Sequence, residues 1–186
     1  KFDLRDYGRF LMRKNRKLVL SGEIYDDTST DIIQDVYYLL SLDSREPVEL
    51  ILSSPGGSVD VGFTIIDALL ELKKAGIFIR GKVLGSAMSM ACILLQVCDE
   101  RIVSKYSWLM MHGMSKSGFE SIDLKLSRVE QDSSTLKLAK LIADRNTSSE
   151  PKYKDYNYWY ELMQEKTPRF MDAEEAIRVG LADKIC

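Results

Sequence analysis

An α/β fold around a mostly parallel sheet is what this sequence predicts, and three observations carry that expectation. Short β-branched runs alternate with longer stretches of helical periodicity, which is the signature of βαβ units. Turns containing glycine or serine stand at most of the switches between them. The length of 186 residues suits a single domain spanning 1–186, able to bury about 70% of its unfolded surface without disulfides or metals.

Lys17 to Gly22 reads as the first strand. Ile32, Ile33, Val36, Leu39 and Leu40 then fall on one face of a helix entered through Ser29 or Thr30, either of which can cap its first amides. Val48 to Ser53 is a second strand, and Val61, Ile65, Ala68, Leu69 and Leu72 repeat at helical spacing, with Gly76 where a left-handed C-terminal cap belongs. Ile77 to Leu84 reads as a third strand, Met90 to Val97 as a buried helix, and Ser107 to Met111 as a further strand ending at His112. Beyond Gly118, Ile122, Leu126, Val129, Leu136, Leu138, Leu141 and Ile142 spread along a helix of roughly 24 residues, whose narrow apolar stripe either crosses the domain or packs on another copy. Asn146 to Asp155 is a polar loop, followed by an aromatic helix over Tyr156 to Gln164 and a last helix over Ala173 to Val179.

Composition narrows the function classes. With 26 basic and 28 acidic residues the net charge is −2, so no electrostatic pull toward nucleic acid or an anionic membrane is expected. The basic stretch Arg9 to Arg16 reads as solvated surface. Cys92, Cys98 and Cys186 lack His or carboxylate neighbours at ligand spacing, so no metal is expected, and reduced thiols of a cytosolic compartment explain them. No apolar run reaches the ~18 residues that span a bilayer, and the first residues carry no signal-peptide core.

Chemistry concentrates at three turns. Ser89 follows an apolar run and a glycine and stands at the first turn of the buried helix, where unpaired amides and the helix dipole stabilise a developing anion. His112 is the one histidine of the chain, so any imidazole chemistry falls to it. Ser53 to Ser58 holds two adjacent glycines, Gly56 and Gly57, whose bare amides can hold an oxyanion; without a Gly-Lys-Ser/Thr or a Rossmann spacing the turn is a poor nucleotide site. All three lie at the carboxyl ends of strands, the edge where α/β sheets build their sites.

The motifs Ser-Pro-Gly-Gly-Ser-Val at 54–59, Gly-Ser-Ala-Met-Ser-Met-Ala at 85–91, Met-Met-His at 110–112 and Ala-Glu-Glu-Ala-Ile-Arg-Val-Gly-Leu-Ala-Asp at 173–183 resemble the proteolytic subunit of the Clp protease, in the same order, over about Leu18 to Ile185. The resemblance implies a crotonase-like ββα superhelix with a protruding long-helix handle at about 113–145. It implies Ser89 as nucleophile, His112 as general base, and the amides of Gly57 and Met90 as the oxyanion hole. Gly113, Met114 and Ser115 would begin a substrate-aligning strand running to Gly118. Protein or peptide substrates, two stacked seven-membered rings of this chain, no cofactor, an AAA+ unfoldase that spends the ATP, and a cytoplasmic or organelle stroma or matrix location are also implied. An N-terminal axial hairpin of the family would precede Lys1.

One position departs from the family pattern. Pro168 stands where the triad carboxylate is expected and offers no acceptor side chain. Asp172 is the nearest carboxylate, although three residues before Glu175 it also fits a capping box of the last helix. Glu165, Asn146, a backbone carbonyl or a water are the other candidates to orient His112. A non-catalytic ring subunit with a broken triad would fit Pro168 but has no need of both Ser89 and His112. A crotonase-type acyl-CoA enzyme would use the same two amides on a thioester and has no use for a Ser/His pair. Met88, Met90, Met110, Met111 and Met114 read mostly as adaptable core around the site, with one or two left to line an apolar pocket for the substrate residue before the scissile bond, and the aromatic group from Tyr153 to Tyr160 as a satellite core.

Overall fold

The computed structural model describes residues 4–42, 44–113, 124–165 and 167–186. In chain order they form α1 (Leu4–Lys14), β1 (Lys17–Ser21), α2 (Asp26–Ser41), β2 (Val48–Ser54), α3 (Val59–Lys74), β3 (Ile79–Met88), α4 (Met90–Val97), β4 (Glu100–Val103), β5 (Trp108–Met111), α5 (Leu124–Arg145), a 3-10 turn (Pro151–Lys154), α6 (Tyr156–Leu162), β6 (Arg169–Met171), α7 (Ala173–Arg178) and β7 (Lys184–Ile185). The main sheet runs β1-β2-β3-β4-β7, all parallel, while β5 pairs with the far half of β3 and carries β6 antiparallel on its other edge. The expected α/β architecture with a mostly parallel sheet is the one observed.

Burial alternates along β2, with Val48, Leu50, Leu52 and Ser54 inside and Glu49, Ile51 and Ser53 half-buried. One face of the sheet therefore packs on helices, and the other, carrying Val19, Ile51, Lys82 and Leu84, is open in the single chain. All eight residues of α4 are buried, which fits a sequence apolar but for Gln96: this helix fills the space between the sheet, α3 and α5. Ser58 caps α3 by accepting the Val61 amide, and Gly76, at φ 76°, closes its far end as expected.

Several boundaries move. The second helix begins at Asp26 rather than at Ser29 or Thr30, with Tyr25 at its N-cap and acidic Asp26 and Asp27 in its first turn. The third strand runs on to Met88, because the β2–β3 register shifts between Leu52 and Ser54 and pairing resumes at Ala87. The loop before the aromatic helix contains the 3-10 turn. The basic stretch near the start is solvated surface only in part: Phe10, Leu11, Met12, Lys14 and Asn15 are exposed, but the three arginines are engaged. Arg9 pairs with Asp31 and Asp35 of α2, Arg13 reaches Asp35 at 3.5 Å, and buried Arg16 donates to the Glu46 and Pro47 carbonyls. The Arg9 and Arg13 contacts fasten α1, which periodicity did not reveal, onto α2, and Arg16 ties the turn after it to the loop before β2. Along α5, Thr135, Leu138, Ala139, Ile142 and Ala143 are buried against the body while Val129 is 65% exposed.

Arg101 holds the closing end of the chain to the sheet. The residue is completely buried and places all five side-chain donors: Nε and one terminal nitrogen on the two Asp183 oxygens at 3.1 and 2.6 Å, the others on Gln96, the Gly180 carbonyl and Thr147. One side chain so links α4, β4, the loop after α5 and the segment leading to β7. Burial disfavours the charged form of Asp183, but hydrogen bonds and charge from Arg101 outweigh it and hold the carboxyl below its ordinary range. A carboxylate whose folded value is depressed gives stability that is fully present above its unfolded value of about 3.9 and is lost as pH falls through the folded value. Asp183→Asn, which leaves Arg101 buried without its counter-charge, is expected to cost about 3 kcal/mol at neutral pH, kept to the low end because Asp183 is partly exposed. Denaturant melts at pH 7 and pH 3 check this: the gap between parent and variant should narrow at the acid end.

Candidate active site

Ser89 lies where β3 hands over to α4, with φ 51° and ψ −123°. A non-glycine residue there stores strain of ~1–3 kcal/mol, which persists only when neighbours fix it. Its amide donates to Met110 O at 2.7 Å, extending the β3–β5 pairing, and its carbonyl accepts from Cys92 and Ile93 at the start of the helix. A serine at an N-cap ordinarily turns its hydroxyl onto the helix amides; the Ser89 side chain makes no such bond. The Oγ lies instead 3.0 Å from His112 Nε2. In the tautomer with its proton on Nδ1, Nε2 accepts the Ser89 hydroxyl, the arrangement that draws a proton from a nucleophile.

The glycine turn packs directly on that serine. A Cβ on Gly56, at φ 95°, would lie 2.6 Å from Met88 O and 2.7 Å from Ser89 Cβ, so only glycine admits the approach. Ser54 Oγ, buried, accepts the Gly56 amide, and Ile24 bridges the turn by donating to Gly56 O and accepting from Ser58. Because Ile24 takes the bonds on either side of Gly57, the Gly57 N–H points the other way. Neither it nor the Met90 N–H donates to any described residue. The structure thus brings Ser89, His112 and the turn of Gly56 and Gly57 together as expected, and adds Ser54 and Ile24. Ser54 adjoins the glycines in sequence, but nothing in the sequence around Ile24 marks it.

His112 follows β5, whose antiparallel register with β6 pairs Met111 with Arg169. Carried one step further, that register sets His112 opposite Pro168. Among the described residues no side-chain carboxylate bonds to His112. Asp172, expected as its nearest carboxylate partner, is occupied elsewhere: it is exposed and its Oδ1 accepts the Glu175 amide at 2.8 Å as the cap of α7. This N-cap bond outcompetes the reach back because the carboxylate lies at the wrong end of β6, while the Glu175 carboxylate is taken by Arg169 and Arg178. Asn146 is buried on its own loop, donating to Val179 O and accepting from Ser148. Glu165 offers its main chain and not its carboxylate, accepting the Gly113 amide at 3.2 Å. Met114 and Ser115 lie outside the described residues.

Around the site Met90 and Met111 are buried and Met88 and Met110 half-buried. Cys92 and Cys98 are buried, and burial pushes each thiol up to about 12, too high for a thiolate nucleophile at neutral pH. Among the described residues no group of three His, Cys, Asp or Glu is arranged to hold a metal ion, and no helix is long and apolar enough to cross a membrane.

Residues 5–186 match the family model for Clp protease. Similar proteins include ATP-dependent Clp protease proteolytic subunit 2 of Treponema denticola, 26% identical over 94% of this chain and 85% of that one. Proteolytic subunit 3 of Synechococcus sp. is 28% identical over 91% of this chain and 82% of its own length, and the Streptococcus mutans proteolytic subunit is 26% identical over 96% and 87%. With a family match from Tyr7's neighbourhood at residue 5 to the last residue, and with the glycine turn, the serine and the histidine meeting in space, the chain belongs to the Clp protease family.

Proposed function

We propose that this chain is a serine endopeptidase, the proteolytic subunit of an ATP-dependent Clp-type protease. The observation that carries the reading is the 3.0 Å contact between Ser89 Oγ and His112 Nε2 at a helix N-terminus flanked by two amides without described acceptors. In acylation, His112 Nε2 takes the hydroxyl proton as Ser89 Oγ bonds to the scissile carbonyl carbon. The carbonyl oxygen gains negative charge and is held by the Gly57 and Met90 amides. Collapse breaks the C–N bond, with the proton passing from Nε2 to the leaving amine. Water then attacks the acyl-enzyme, giving its proton to Nε2, and Ser89 recovers a proton as the acid product leaves.

The relatives' names support an ATPase partner that delivers protein substrates. An assembly of stacked rings would cover the apolar surface the single chain leaves open, including Val129 on α5 and Val19, Leu84 and Trp108 on the sheet side. Pro168 favours a second reading, a ring subunit that assembles but does not cut.

Fluorophosphonate labelling separates the two. Adduct on Ser89, lost in Ser89→Ala and reduced by about 10³-fold or more in His112→Ala, is expected; an assembled oligomer that never labels would leave the non-catalytic subunit. Val129→Glu should interrupt packing along α5 and yield particles of about half the parent mass by light scattering, with circular dichroism unchanged.

A further inference from the structure

We infer that Gly113 is a positioning residue: a main-chain clasp on Gly113 holds His112 for Ser89, in place of a side-chain carboxylate. The inference rests on the acyl-transfer reading and supplies what that reading lacks, a constraint on the base.

An imidazole that bonds a hydroxyl through Nε2 still rotates about its side-chain torsions, and in serine peptidases a carboxylate on Nδ1 ordinarily stops it. Carried one step past its last pair, Met111 with Arg169, the β5–β6 register sets Pro168, which has no acceptor side chain, across from His112. The constraint present is on the residue after the histidine. Gly113 N–H donates to Glu165 O, and a Cβ at Gly113 would lie 2.8 Å from both Glu165 O and Met163 O. Side chains essentially never approach so closely, and the obstacles are carbonyls of the main chain, which cannot swing aside. Gly113 is outside the left-handed region, so close approach and not backbone freedom is what the glycine provides.

The clasp is rigidly mounted. Met163 caps α6 by donating to Trp159 O, and fully buried Trp159 donates its indole N–H to Tyr153 O at 2.7 Å. The residue before His112 is fixed as well: Met111 pairs with Arg169, whose guanidinium bonds the Tyr158 hydroxyl and Glu175 Oε1. With residues 111 and 113 both held, the backbone of His112 is fixed, and the imidazole keeps only its own two torsions about a set origin.

The test is the rate of Ser89 labelling by a fluorophosphonate in the assembled full chain, with hydrolysis of a short peptide for kcat and KM. Gly113→Ala is expected to slow labelling by about 100-fold and to lower kcat with KM retained, since a displacement near 1 Å has that effect. Pro168→Asp puts a carboxylate on the same face as the imidazole. It should change the parent by less than about threefold yet restore at least about tenfold in the Gly113→Ala background, a coupling that mere loss of fold would not produce. Labelling of Gly113→Ala within about threefold of the parent would overturn the clasp. So would a gain of about 100-fold or more from Pro168→Asp in the parent, which reads without Gly113→Ala and marks an imidazole that nothing was holding. A parent that assembles and never labels would overturn the acyl-transfer reading and the clasp with it.

Discussion

The strained turn at Ser89 depends on being pinned from every side, and the rest of the site depends on that turn. On one flank the serine amide is tied to Met110 of β5; on the other its carbonyl starts a helix with no exposed residue; above it Gly56 sits at a distance that no side chain would permit. A backbone at φ 51° relaxes unless its surroundings forbid it. Here relaxation would move α4, the most buried helix of the chain, so the core itself keeps the hydroxyl turned away from the helix amides and toward His112. The register shift between Leu52 and Ser54 belongs to the same constraint, because it lets β3 continue past β4 and pair with β5 at the level of the serine.

Two kinds of polar arrangement share the load, and they differ in what they tolerate. Around Arg101 every donor is satisfied by fixed acceptors, so the buried charge is compensated and the C-terminal segment is locked in one position. Around the site, in contrast, the amides of Gly57 and Met90 have no described acceptor. Both N–H groups are therefore free of competing acceptors among the described residues. The fold concentrates its satisfied network on one end of α4 and its unsatisfied amides on the other.

The antiparallel pairing of β5 with β6 joins segments far apart in the chain beside the histidine. Its register, carried one step past the last pair, sets residue 168 toward His112, but proline there supplies no charge, and Asp172 caps α7. What remains near the histidine is main chain. Peptide groups are fixed by the secondary structure that bears them, so they orient a neighbour without a titrating group and without the rotamer entropy of a side chain.

The sequence by itself determined the elements whose signal is local. The apolar run from Met90 to Leu95, the alternation in β2 and the glycine after α3 each state their structure within a few residues, because periodicity and φ preference act at that range. It also placed Ser89, His112 and Gly56-Gly57 at strand ends, and motif resemblance ordered them. Strands β4, β6 and β7, of four, three and two residues, are too short to show a period, and α1 is secured by ion pairs to α2 that only a folded chain brings together. The sequence offered Asp172 both as a helix cap and as a partner of His112, and tertiary structure decided between them; it alone decided that Ile24 braces the glycine turn and that Gly113 meets two carbonyls some 50 residues onward. Those choices rest on register and close approach between distant segments, quantities that exist only once the sheet has formed.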